Sequence, residues 1–138
     1  MREILFRGQD IAGNWHYGVP LVFTDDYVCM TAPHTYNKKV EANTIGQYTG
    51  LTDKNGKKIF EGDIVNEYDM PETISNTGIV HWNELFAGWY ISQTRAMYNH
   101  QYMSYEIIGN IHDNPELLEG GRCDHRELFE RIGGEEIQ

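Results

Sequence analysis

Long hydrophobic runs are missing from this sequence. Its longest uninterrupted apolar stretches are a few residues, far short of the ~20 that a membrane-spanning helix needs. Cysteine is scarce as well. Cys29 and Cys123 are the only two, which excludes a disulfide framework and fits a reducing compartment. Positive charge is in short supply, with 11 Lys and Arg against 21 Asp and Glu and a formal net charge of −10. A uniformly acidic surface repels phosphate backbones, so general DNA or RNA binding is disfavoured. There is no Gly-x-Ser-x-Gly, P-loop or His-Glu-x-x-His pattern, no internal repeat and no low-complexity segment. Met1 to Arg7 holds three apolar residues between charges, which does not make a signal peptide. The expectation is a cytoplasmic protein with no membrane association.

What is present is ordinary globular composition. Of 138 residues, 40% are hydrophobic and 23% charged, enough for one domain with one core. Aromatics make up 12%, including nine Tyr and three Trp, residue types that favour strands and half-buried faces. Fourteen Gly supply turns.

The charge is not evenly spread. All five lysines, Lys38, Lys39, Lys54, Lys57 and Lys58, fall within one stretch opposed only by Glu41 and Asp53. They are the candidate phosphate contacts if nucleic acid is bound at all. The plainer reading is solvated strand edges and turns, where lysine also discourages aggregation.

Short alternating runs separated by turn residues predict a mostly-β chain. Strands are expected over 2–7, 15–19 (ended by Pro20), 27–31, 44–49, 57–60, 63–68, 78–82, 88–92 and 105–112. Gly8 to Asn14 reads as a turn and Asp69 to Thr77 as a polar loop; residues 21–26 and 95–103 are ambiguous. Asn55-Gly56 is a hairpin signal, because both residues tolerate the positive φ of a type I′ turn. Two short helices are expected at the end. Asn114 caps the first, with Pro115 at its first position and Gly120-Gly121 as its stop. Asp124 and Glu127 form a capping box for the second, whose Leu128, Phe129 and Ile132 make one apolar stripe. These three residues must bury somewhere and are the candidate partner contact.

The chemical candidates are thin. Cys123-Asp124-His125 is a single Cys-x-His pair, where zinc sites usually use two, so no metal or other cofactor is expected. Asp63, after Gly62, reads as a turn residue bonding nearby amides rather than as a catalytic acid. His112-Asp113 reads as part of the cap of the first helix. His81 and His16 adjoin Trp82 and Trp15 on alternating strands, so each His is expected to face out where its Trp faces in. Cys29 reads as a core filler. Tyr48, Phe60, Tyr68, Trp82, Trp89, Tyr90 and Tyr105 outnumber what a small barrel can bury, so some are expected at the surface, where exposed aromatics can form peptide grooves.

Gly46-Gln47-Tyr48-Thr49-Gly50-Leu51-Thr52-Asp53-Lys54-Asn55-Gly56-Lys57-Lys58-Ile59-Phe60-Glu61-Gly62-Asp63-Ile64-Val65 resembles the signature segment of the YopX family of phage and prophage proteins. The opening Arg2 to Arg7 and the stretch from Tyr105 to Leu118 resemble that family's first strand and its closing strand and helix. The resemblance implies a phage or prophage gene in a bacterial host, an SH3-type barrel and no assigned activity.

Residues and resemblance together predict a small SH3-like β-barrel with additional N-terminal strands and short C-terminal helices. Residues 1–43 are an N-terminal β segment packed on the barrel, 44–112 the barrel and 113–138 the helical tail. The expected function is a non-enzymatic module that binds a protein partner or self-assembles. The alternatives are weak nucleic-acid binding through the lysine-bearing hairpin and an unrecognised enzyme.

Overall fold

The computed structural model describes residues 3–31, 37–69, 73–92, 95–97 and 103–119. The chain is mostly β, as expected, and forms two compact units, Met1–Gly50 and Leu51–Gln138, rather than one domain around one core.

The first unit is an antiparallel sheet of β1 (Phe6–Gln9), β2 (Trp15–Phe23), β3 (Tyr27–Thr31), β4 (Lys38–Glu41) and the start of β5 (Gly46–Thr52), in the order β4-β3-β2-β1-β5. Val28, Met30 and Val40 are its buried core, with Phe6, Ala42 and Ile45 against them. The alternation in β3 explains this: Val28 and Met30 turn inward, leaving Cys29 half-buried on the other side. Cys29 is therefore not the core filler that its apolar run suggested. Gly8 is required where it stands, because a Cβ there would lie 2.6 Å from a Val40 methyl. A 3₁₀ turn, Ala42–Thr44, joins β4 to β5. Its Thr44 hydroxyl accepts from the Gln9 amide at 2.8 Å and donates to Glu41 O at 2.7 Å.

Two expectations here need correction. β1 runs on through Gly8 and Gln9, so the turn is confined to Asp10–Asn14. Pro20 does not end β2, because the pairing register with β3 shifts between Pro20 and Val22. A bulge accommodates the missing amide that would break a regular ladder.

The second unit holds β6 (Lys58–Phe60) and an antiparallel sheet of β7 (Asp63–Asp69), β8 (Thr73–Asn83), β9 (Gly88–Ile91), β10 (Arg95–Ala96) and β11 (Met103–Asn110), in the order β10-β9-β8-β7-β11. Neighbouring residues alternate faces, so this sheet carries a core on each side. On one face Val65, Val80, Ile91 and Tyr105 meet Ile59 of β6, with Leu51 and Trp89 alongside. On the other, Ile64 and Ile79 meet Leu118 of α1 (Glu116–Glu119), with Ile111 alongside. Each such side chain contributes about 1.5–3 kcal/mol on burial. β8 begins at Thr73, so the polar loop expected over 69–77 is instead largely paired strand.

Strands 51–110 thus share a core, but among the described residues their ladders leave the sheet open rather than closed as a barrel. The turn before β6 covers one of the open edges. Lys54 N donates to Tyr105 O at 2.7 Å and Ile107 N donates to Asp53 Oδ2 at 3.2 Å. The second C-terminal helix expected over 124–132 lies outside the described residues.

Candidate functional site

The β8–β9 hairpin gathers the side chains that the cores leave over. Val80 pairs with Ile91, His81 with Tyr90, Trp82 with Trp89 and Asn83 with Gly88. Directly opposed residues share a face, so Trp82 and Trp89 continue the face of Val80 and Ile91 beyond the point where the core ends. Trp89 still touches that core, but Trp82 is 43% exposed. The two indoles meet edge to face, with centroids 5.2 Å apart. On the opposite face Tyr90 lies 6.4 Å from the His81 ring and stacks at 6.0 Å on Phe86. Phe86 is 66% exposed and its neighbour Leu85 84%.

A side-chain hydrogen bond braces the tip that carries Leu85 and Phe86. Asn83 Oδ1 accepts from the Phe86 amide at 3.0 Å. Ala87 has a φ of 51°, the left-handed region that disfavours any residue with a Cβ. The hairpin is therefore a projecting finger with aromatic side chains on both faces.

The expected facing of His81 and Trp82 is reversed. His81 is the buried member at 9% exposure, with Nδ1 3.3 Å from Trp82 O. The residues alternate, but in the opposite phase, because the core on Trp82's face stops one pair short of it. In β2 both Trp15 and His16 are half-buried; the Arg7 guanidinium covers the Trp15 ring at 4.4 Å and His16 Nε2 lies 2.8 Å from Asp10 Oδ2.

The other named residues fall as follows. Lys38 and Lys39 are exposed on β4, an edge strand of the first unit, with Lys39 Nζ 4.2 Å from the centre of the Tyr27 ring. Lys54 and Lys57 lie in the turn before β6 and Lys58 is that strand's first residue, with Lys54 Nζ 4.3 Å from the centre of the Tyr68 ring. Leu128, Phe129, Ile132 and the Cys123-His125 pair lie outside the described residues. Asp63 is the first residue of β7 and its side chain braces the turn before it: Oδ2 accepts the Phe60 amide at 2.8 Å. His112 and Asp113 donate their amides to Asn110 Oδ1, so Asn110, which sequence reasoning passed over, organises the turn before α1. Among the described residues no group of three or more His, Cys, Asp or Glu could hold a metal ion, and no helix is long and apolar enough to cross a membrane.

A family profile described as "YopX protein" matches residues 12–119. The chain belongs to the YopX family. Among solved structures it is similar to protein EF1440 from Enterococcus faecalis, whose crystal structure superposes with a TM-score of 0.55 at 27% sequence identity, covering 86% of this chain and 100% of that one. Among curated proteins none matches the sequence.

Proposed function

We propose that this YopX-family chain is a phage- or prophage-encoded accessory protein that acts, without catalysis, by binding another protein through its β8–β9 hairpin. The observation that carries the reading is the exposure of Trp82, Leu85 and Phe86 on one hairpin. Contiguous exposed apolar surface is kept small on soluble proteins unless something covers it, and Trp and Phe are the side chains that anchor protein interfaces. The buried carboxylates Asp53 and Asp63 are otherwise engaged, since both accept backbone amides. An SH3-like pairing of the β5–β6 hairpin with the β7–β11 sheet is part of this reading, supported by the core that they share.

A photo-crosslinking residue at Leu85, expressed in the bacterial cytoplasm of a host carrying the phage genes, tests the reading. A protein adduct at Leu85 that is missing when the crosslinker replaces Ile11, still more exposed and in the first unit, is the expected result. An adduct to nucleic acid, or the same adducts from both positions, would overturn it. Self-association is the second form of the reading, through Leu128, Phe129 and Ile132. There Phe129→Asp is expected to lower the mass seen by light scattering.

A further inference from the structure

We infer that a cleft along the outer edge of β4, in the first unit, takes an extended basic segment of a partner protein as an added strand. The inference does not rest on the hairpin. An open backbone edge, a cavity against it and the charges of the cavity's lining carry it.

The edge follows from the phase of the β3–β4 ladder. Ala42 N donates to Asp26 O at 3.1 Å, and the register continues with Val40 opposite Val28 and Lys38 opposite Met30. In an antiparallel ladder every second residue bonds a given neighbour. Val40 and Lys38 therefore bond β3, and the amides of Lys39 and Glu41 point to the opposite edge. Among the described residues β4 has no second neighbouring strand, and neither of these amides has a hydrogen-bond partner. The Glu41 carbonyl accepts from the Thr44 hydroxyl; the Lys39 carbonyl faces the open edge. A strand laid there would bond the Lys39 amide and carbonyl and the Glu41 amide, the mode by which sheet edges bind extended peptides.

A cleft of about 470 Å³ lies against that edge. It is lined by Lys39, Val40 and Glu41 of β4, by Asp26 and Tyr27 where β3 begins, and by Asp10 and Ile11 of the turn after β1. That volume suits a small ligand or a few residues of one chain. A second copy would bring its own β3 and turn along with β4, which a bounded cleft of this size does not hold. The lining then selects the occupant. Asp10, Asp26 and Glu41 are three carboxylates against one base, Lys39, whose ammonium lies 4.2 Å from the centre of the Tyr27 ring. Of the charges beside them, Asp25 adds an acid, Lys38 alternates to the face of Val40 and His16 is bonded to Asp10. Across one cleft these groups act within about a Debye length, ~8 Å in physiological salt, so the acidic balance is local. A Lys or Arg side chain of the added strand meets the carboxylates, while Ile11, Tyr27 and Val40 take its apolar neighbours.

Displayed random peptides selected on the intact chain, and counter-selected on a Glu41→Pro chain, test this. Glu41 has a φ of −68°, which proline shares, and proline is tolerated where a strand's amide faces an open edge. Glu41→Pro thus removes an outward amide and leaves the ladder to β3 bonded, while Glu41→Gln removes the charge alone. The expected result is a retained set with Lys or Arg among β-branched residues. A synthetic peptide from that set, titrated by fluorescence anisotropy, should bind about tenfold or more weaker to Glu41→Pro, with a smaller loss for Glu41→Gln. N-methylation of the peptide's own amides should weaken it similarly on the unaltered chain, and decides the matter where Glu41→Pro shows a disturbed melt. Equal losses with the two variants, indifference to N-methylation, or no retained peptide would overturn strand addition. Retained peptides that are neutral or acidic would overturn the basic occupant. A lower mass of the Glu41→Pro chain by light scattering would put a second copy in the cleft and overturn the partner segment.

Discussion

Asp53 shows how much of a small β protein can hang on one carboxylate. It is 5% exposed. Its Oδ1 accepts the amides of Asn55 and Lys57, each at 2.9 Å, and its Oδ2 accepts that of Ile107. The first two bonds build the turn before β6; the third ties that turn to β11. Asp53→Ala leaves three amides without this acceptor, at roughly 1–3 kcal/mol for each one that stays buried and unmet. We expect a loss of about 2–4 kcal/mol in denaturant unfolding, with Asp53→Asn retaining part of it because its side-chain oxygen can still accept.

Asp10 makes a different residue-scale case. Its carboxylate accepts a hydrogen bond from His16 and then the amide of Asn14, which outweigh the opposing effect of burial, with the Ala12 amide adding to them, so its pKa falls from 3.8 to about 2. A group whose pKa is lower folded than unfolded stabilises the fold above its unfolded value, and that contribution fades as pH falls through the folded one. The contribution of Asp10 is thus full above pH 3.8 and disappears between there and about pH 2. Carboxyl-carbon NMR titration should find Asp10 titrating at about 2, well below its ordinary value of 3.8. His16→Ala should move its midpoint back up; an unmoved midpoint would leave the backbone amides as the whole cause.

At the scale of elements, the turns decide which strands form. The Asn55-Gly56 signal marks a real hairpin, but only Gly56 has a positive φ there, at 85°. Gly56 N donates to Asp53 O at 3.0 Å and Asp53 N to Lys57 O at 2.7 Å. This is a three-residue connection with glycine in the left-handed position, not a type I′ turn. The location was legible from the dipeptide. The turn type was not, because Asp53 collects the amides of the turn. β4 escaped notice because an edge strand with a single inward residue, Val40, shows no alternation. The first half of β8 is hidden because Thr73 and Ile74 pair with β7 while staying exposed, and Ser75 falls in the register shift between Ile74 and Asn76. The aromatic surplus was legible, but its concentration on one hairpin depends on a register that no local pattern displays. The tip of that hairpin carries its own prediction. Ala87 sits at a positive φ at a cost of about 1 kcal/mol, so Ala87→Gly is expected to raise stability by about 0.5–1 kcal/mol, read as a higher melting temperature, without altering Leu85 or Phe86. An unchanged or lower melt would show that the strain there is already relieved.

For the molecule as a whole, charge discriminates among partners more sharply than any single site does. The five lysines divide between the units, Lys38 and Lys39 on β4 and Lys54, Lys57 and Lys58 at one turn. Lys39 and Lys54 already rest on tyrosine rings, and Glu41 lies beside the first pair in sequence. Each phosphate neutralised on duplex DNA contributes about −0.9 to the log–log salt slope of affinity. Three lysines at one turn could therefore give a slope of roughly −3 at most, on a unit that otherwise repels the duplex. We expect no measurable binding of labelled duplex or single-stranded DNA by fluorescence anisotropy, even at low salt where such contacts are strongest. Binding that appears at low salt, follows such a slope and is lost in a Lys54→Ala, Lys57→Ala, Lys58→Ala variant would instead make the lysine turn the working surface. The aromatic finger would then need another explanation.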